Sequence, residues 1–251
     1  NQFYGYYGRA NREPTRNDFE EGISTAEKLN DFELGWRYDK SNFKVNSNFY
    51  FMDYKDQLVL SGALNDVGAP LRTTSGNSYR LGLEIDADWQ ISSKWRLMPN
   101  LALSTNKNKD FVASIDGALV DLGNTNISYS PEIVASNMFI YSPKENLQIG
   151  ILSKFVGEQY MGNIDSEASI LDSFFVNDLN VVYELKDIPV FKSIVFNALA
   201  NNIFDVKYVS NGYFFTYDDD FSIPGEITTV EGAGYYPQSG INFLAGATLK
   251  F

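Results

Sequence analysis

The chain has 251 residues, a formal net charge of −12 and neither cysteine nor histidine. Those absences exclude disulfides, thiolate or imidazole metal sites and any chemistry built on Cys or His, and the acidic balance excludes the cationic footprint that nucleic acid requires. Aromatics make up 15%, with 16 Tyr and 19 Phe, which together with many Asn, Gly and Ser favours strands and turns over helices. No apolar run reaches the ~18 residues of a transmembrane helix.

The segment Gln2-Phe-Tyr-Gly-Tyr-Tyr-Gly8 already reads as a strand, with no signal peptide before it, so the sequence reads as one that begins partway through a larger structure. A second strand is expected at about 30–38, where Phe32, Leu34, Trp36 and Tyr38 share one face against Glu33, Gly35 and Arg37. A third follows at about 43–54, with Val45, Phe49 and Phe51 aligned. The fourth, at about 78–91, is the cleanest: Leu81, Leu83, Ile85, Ala87 and Trp89 oppose Arg80, Gly82, Glu84, Asp86, Asp88 and Gln90. The fifth and sixth fall at about 95–105 and 131–141, and the seventh at about 146–157 with Leu147, Ile149, Ile151 and Phe155 aligned. The eighth, at about 171–185, aligns Phe175, Leu179, Val181 and Tyr183, and the ninth lies at about 191–204. The tenth is the tail, 241–251, where Ile241, Phe243, Ala245, Ala247, Leu249 and Phe251 form one apolar face.

Short connections near 39–41, 92–94, 143–145 and 186–190 alternate with long ones near 9–29, 60–78, 106–130, 158–170 and 205–238. That rhythm is the layout of an outer-membrane barrel, with short periplasmic turns and long extracellular loops. A soluble β domain is the rival architecture. It has no reason to collect every long loop at one end, and Arg80, Glu84, Asp86 and Asp88 would be costly in its core. Trp36, Tyr38, Trp89, Trp95, Tyr141 and Tyr183 lie near the short turns, where an interfacial girdle belongs. The fold expected is therefore all-β, an antiparallel transmembrane barrel. No internal repeat and no useful helical periodicity appear.

Four segments then resemble the TonB-dependent outer-membrane receptors. Tyr7-Gly-Arg-Ala-Asn-Arg-Glu-Pro-Thr-Arg16 is similar to that family's passage from strand to loop, and Glu27-Lys-Leu-Asn-Asp-Phe-Glu-Leu-Gly-Trp-Arg37 to a strand opening it shares. Asn201-Asn-Ile-Phe-Asp-Val-Lys-Tyr208 resembles its NNLFDxxY motif, and Phe251 its terminal aromatic. Tyr236-Pro-Gln-Ser-Gly240 departs from the pattern, standing where the family often has a basic residue entering the last strand. The resemblance implies that residues 1–251 are the C-terminal part of a barrel of about 22 strands, closed by an N-terminal plug. The plug, the earlier strands and the TonB-contacting segment would lie outside this sequence, and the tail would pair with a first strand it does not contain. Active import of a scarce nutrient at the outer membrane of a Gram-negative bacterium follows. A ferric siderophore or other metal chelate is the preferred ligand, because the last strands do not resemble the glycan-importing branch. The implied partners are TonB, the chain's own plug, outer-membrane lipid and lipopolysaccharide, and the barrel-assembly machinery, for which Phe251 would be part of the signal. A surface lipoprotein is a further candidate, and no cofactor is implied.

Several residues carry a functional and a plainer reading side by side. Arg9, Arg12 and Arg16 would greet an anionic chelate where the first strand emerges, or, the preferred reading, pair with Glu13, Asp18, Glu20, Glu21 or lumen carboxylates. Tyr213, Phe214, Phe215 and Tyr217 offer loop aromatics to a ligand, or simply extend a strand above the membrane. Tyr160 and Met161 are weaker candidates of the same kind, and Asp218-Asp-Asp220 is read as a solvated run before it is read as a cation site. Glu33, Arg37, Arg80, Glu84 and Asp86 should face the lumen, where the resemblance implies they hold the plug. An enzyme is excluded as far as His- or Cys-based constellations go. A passive pore, an adhesive barrel, and an importer of vitamin B12, haem or oligosaccharide or peptide ligands remain as alternatives.

Overall fold

The computed structural model of the chain describes residues 1–20, 22–64, 70–186 and 188–251. Ten long strands carry the architecture: β1 (Gln2–Arg12), β2 (Glu27–Lys40), β3 (Phe43–Lys55), β4 (Asn77–Gln90), β5 (Trp95–Lys109), β6 (Ile133–Lys144), β7 (Leu147–Val156), β8 (Phe174–Lys186), β9 (Ser193–Asn201) and β10 (Asn242–Lys250). Each pairs antiparallel with the next in chain order, so the sheet is one unbroken up-and-down meander with β1 and β10 at its edges. The expected count and order of strands are both seen.

Register makes the two faces continuous, because residues directly opposite across a ladder point the same way. On one face Leu34 opposes Phe49, Phe49 opposes Leu83, and Leu83 opposes Leu103. Farther along, Phe139 opposes Ile151, Ile151 opposes Leu179, and Ala200 opposes Phe243. This apolar face is bare: Phe3 is 80% exposed, Leu34 67% and Phe243 73%. No water-facing sheet would present so broad an apolar surface, whereas hydrocarbon accepts it.

Two rows of rings bound the band. At the end bearing the long connections, Tyr7 meets Phe32 at 4.9 Å, Phe32 meets Phe51 at 6.4 Å, and Phe51 meets Tyr79 at 6.3 Å. At the end bearing the short turns, Tyr38 meets Phe43 at 6.0 Å, Phe43 meets Trp89 at 6.1 Å, and Trp95 stacks on Tyr141 at 3.9 Å. Along β4 the rows are ten residues apart, ~33 Å of strand, which a tilt of ~40° reduces to the ~25 Å of an outer-membrane apolar band.

The boundaries differ from expectation in instructive places. β1 continues through Arg12, still laddered to Glu27 of β2, and β5 through Lys109, laddered to Asn77 of β4, since a paired strand does not stop where its apolar pattern does. Pro143 lies inside β6 at a register shift between Tyr141 and Lys144, where the ladder skips the missing N–H. β9 ends at Asn201 because Asn202 turns left-handed, at φ 50°. The long connections hold structure of their own: helix α1 (Arg16–Glu20) and hairpins pairing Leu58–Leu64 with Pro70–Thr74, Val112–Ile115 with Ala118–Asp121, Gln159–Tyr160 with Ile170–Leu171, and Val209–Asp219 with Thr228–Pro237.

Candidate functional site

The inner face at mid-height is polar by register. Glu33 opposes Tyr50, Arg37 opposes Asn46, Asn48 opposes Glu84, and Asn46 opposes Asp86. Glu33, Arg37, Glu84 and Asp86 thus come together, the last three lining an open cavity of about 500 Å³ with Tyr4, Asn46 and Asn48. Asn48 Nδ2 donates to Glu33 Oε2 at 3.0 Å, Asn46 Nδ2 donates to Asp86 Oδ2 at 2.8 Å, and the Arg37 guanidinium sits 5.0 Å from the Tyr4 ring centre. Arg80 stands higher on β4 and bonds Ser130 Oγ at 2.9 Å, apart from that group. Toward the short turns Arg96 grips both oxygens of Asp88. Three carboxylates against one guanidinium make this wall an acidic, wet surface that can accept hydrogen bonds from whatever fills the lumen.

Above the apolar band the long connections are laced into one layer. Asn163, only 3% exposed, accepts the Ser128 N–H at 2.9 Å and donates to the Leu60 carbonyl at 2.9 Å, so three different connections meet on one side chain. Asp165 seconds it by accepting the backbone N–H and the amide of Asn126. Farther along, Tyr129 donates to the Gly212 carbonyl at 2.7 Å, Tyr235 to the Ala168 carbonyl at 3.0 Å, and Asp116 and Thr229 exchange bonds of 2.7 and 2.8 Å. Burial raises the Tyr129 phenol above its ordinary value.

The candidate loop aromatics divide by strand alternation. Tyr213, Phe215 and Tyr217 share one face of their hairpin and stack at 6.3 and 6.5 Å, with Tyr236 beside them at 6.1 Å. Their flatness has a cause. Phe215 lies over Gly232 and Tyr213 over Gly234, so close that a Cβ on either glycine would fall within 2.4 Å of ring carbon. Phe214 points the other way and covers Gly162, beside buried Met161. Tyr160 lies in the half-buried Gln159–Tyr160 strand beside Lys107, Asn126 and Glu158, its phenol raised first by burial and then by Asp165, Glu158 and Glu167. The carboxylates of Asp218 and Asp219 are engaged locally: Asp218 takes the hydroxyls of Ser114 and Thr229, and Asp219 Oδ1 takes the N–H groups of Phe221 and Ser222. The Ser222 contacts hold the Asp219 carboxyl below its usual value. Among the described residues no group of three or more acids could hold a metal ion.

The three arginines are not brought into one patch. Arg9 and Arg12 are three positions apart on β1 and so point to opposite faces, Arg9 level with Asn30 outside and Arg12 level with Glu27 inside. Arg16 is on α1, paired with Glu20 at 2.8 Å. Asp18 instead closes a capping box with Thr15, whose hydroxyl and N–H lower its carboxyl, with Arg72 at 3.8 Å. Glu21, proposed as a partner for the arginines, lies outside the described residues. Glu13 forms no ion pair among them.

The Asn201–Tyr208 segment turns out to be a structural corner. Asn202 donates to the carbonyls of Val206 and Ser239, accepts the Val206 N–H, and gives its own N–H to Asp178. Asp205 takes the Ile241 N–H at 2.9 Å, fixing the entry to β10, and Tyr208 meets Phe174, tilted, at 4.5 Å against the Val156, Phe174 and Val176 core. Phe251, just past β10, meets Phe191 at 5.1 Å. Sequence reasoning missed Asn163, Asp165 and the Gly232–Gly234 pair. Gly-x-Gly opposite alternating aromatics is a legible signal; a lone buried Asn is not.

A family model described as TonB dependent receptor-like, beta-barrel matches residues 1–203. No curated protein matches the chain. Among solved structures, the fold is similar to the ferric-catecholate import receptor Fiu of E. coli K12 in its closed form, at 16% identity and TM-score 0.68 over 99% of this chain and 33% of that one. It is also similar to the copper transporter OprC, at 19% identity and TM-score 0.69 over 98% and 36%, and to the siderophore receptor PiuA of Acinetobacter baumannii, at 13% and 0.64 over 98% and 34%. The chain thus spans about a third of the length of these structures. Ten-stranded meander, bare apolar band, polar inner wall and family match agree: the chain belongs to the TonB-dependent receptor β-barrel family of the Gram-negative outer membrane.

Proposed function

We propose that residues 1–251 are the C-terminal part of the barrel of an importer that works with TonB and a plug, and that its ligand is a ferric siderophore or another metal chelate. The observation that carries the reading is the cluster of exposed Tyr213, Tyr217 and Tyr236 around half-buried Phe215, held in a hydrogen-bonded loop layer above a polar lumen. Flat rings of this kind suit the planar aromatic or conjugated parts of a chelate. Arg12 stands on the inner face, where an anionic ligand would pass, and Tyr160 lines the same layer. The inner wall supports a plug: Arg37 and Glu84 have no ion-pair partner among the described residues, so a plug surface can satisfy them. The names of similar structures favour metal chelates over sugars.

The test is uptake of radiolabelled ferric chelates by iron-limited cells with and without the gene, and, in cells that carry it, with TonB removed and the proton-motive force collapsed. Uptake lost in both treatments is expected. Uptake that persists without TonB and without the proton-motive force makes the protein a passive pore and overturns the reading.

A further inference from the structure

We infer that the lumen wall carries a site for a soft monovalent metal ion, Cu(I), held between the thioethers of Met98 and Met138. The inference rests on the barrel and its inner face, and it holds whether or not the imported ligand is a ferric chelate.

The chain has four methionines, no cysteine and no histidine, so a thioether is the soft donor it has to offer a metal. Met161 is buried in the loop layer, and the other three lie on the inner face of the wall, Met52 on β3, Met98 on β5 and Met138 on β6. Met98 and Met138 stand directly opposite each other across the β5–β6 ladder, and both are half-buried. Residues so placed have Cβ atoms ~4.5–5.5 Å apart. Two sulfurs bridged by one metal ion stand ~4.6 Å apart, twice a metal–sulfur bond of ~2.3 Å. An unbranched side chain with three rotatable bonds makes that adjustment easily.

The neighbours of the pair select the occupant. Gly150, opposite Ile140, lies beside Met138, and a Cβ placed there would meet the Met138 sulfur at 3.5 Å. Glycine has no side chain to cover that flank of the sulfur. Leu152 stands opposite Met138 on β7, Asn100 and Ser136 lie one row up, and Arg96 and Ile140 lie one row down. Asp88 on β4 is gripped by Arg96, so the row offers sulfur rather than a free carboxylate. Mg²⁺, Ca²⁺ and Mn²⁺ take oxygen ligands and Zn²⁺ takes thiolate, imidazole or carboxylate, whereas neutral thioethers select Cu(I). Three residues below the pair on each strand, Trp95 and Tyr141 stack at 3.9 Å in the lower ring row. The site therefore lies ~10 Å of strand above that row, toward the periplasmic end of the lumen.

The test uses the full-length receptor in detergent, loaded with Cu(I) under ascorbate, with Ag(I), a soft ion of the same charge that needs no reductant, or with Zn²⁺. Oxidation of each methionine to its sulfoxide by peroxide is then read by peptide mass spectrometry. Cu(I) and Ag(I) are expected to slow oxidation of Met98 and Met138 at least tenfold and that of Met52 not at all, and Zn²⁺ to protect none of them. In competition with a chromophoric Cu(I) chelator, Met98→Leu/Met138→Leu is expected to bind one equivalent of Cu(I) fewer than wild type, while Met52→Leu matches wild type. Leucine keeps the apolar volume, and retained folding is read from heat-modifiable mobility on gels. If the double variant does not fold, Met138→Leu alone carries the same expectation. Oxidation of Met98 and Met138 that is indifferent to the soft ions, protection by Zn²⁺ as strong as by Cu(I), or full Cu(I) binding by the folded variants overturns the site and leaves the pair as packing against whatever fills the lumen.

Discussion

Asn202 is 4% exposed and makes four hydrogen bonds at the corner between β9 and the last long hairpin. Its left-handed backbone suits Asn, whose short side chain bonds locally and tolerates that conformation. Asn202→Ala removes a buried side chain and leaves the carbonyls of Val206 and Ser239 and the Val206 N–H without their partner. The expected cost is about 1–3 kcal/mol, seen as a lower temperature for the heat-modified gel shift, with the barrel otherwise folded. Asn202→Asp keeps an acceptor for the Val206 N–H but sets a carboxylate against the Val206 and Ser239 carbonyls, and is expected to cost more than Asn202→Ala. This is the clearest case of a motif found by resemblance whose residues have a local physical job. Phe204, in the same motif, is 69% exposed and has no such explanation in the structure.

At the scale of elements, the ten strands were legible because their two faces meet different media, which imposes a period of two on every one of them. Phe32-Glu33-Leu34-Gly35-Trp36-Arg37 could hardly be read otherwise. The loop hairpins were less legible, since most of them are short and lack the continuous apolar face that lipid imposes. Besides the Gly-x-Gly at 232–234, a second signal was available: Asp116-Gly117, with φ of 51° and 73°, is the two-residue turn that joins Val112–Ile115 to Ala118–Asp121. The aromatic face of the Val209–Asp219 strand depends on its partner strand having glycines. Gly234→Ala places a methyl 2.3 Å from the Tyr213 ring carbon and must tilt that ring off the sheet. Loss of at least half of ligand affinity, with unchanged folding, is expected, and a comparison with Gly246→Ala, a site with open space around it, separates ring displacement from a general effect of losing glycine. Unchanged affinity in Gly234→Ala removes the stacked rings from the ligand site.

For the whole molecule, the barrel wall and the loop layer are built on different physics. The wall is held by backbone ladders whose side chains are free to suit lipid on one side and lumen on the other. The layer is held by side chains, with Asn163 at the meeting of the connections around 60, 128 and 163. Asn163→Ala is expected to cost about 1–3 kcal/mol and to open the layer to added protease while β1–β10 stay resistant; equal resistance of both would mean that the layer does not depend on this residue. The split also explains the uneven reach of sequence reasoning, which recovered the strands of the wall but not the contacts that bind one connection to another. Those contacts carry a consequence for how such a receptor changes its diet. Transplanting one loop from a relative would strand a donor or acceptor in each loop it touches, so new specificity here is expected to travel as a set of loops exchanged together, and single-loop chimaeras to fail in assembly before they fail in recognition.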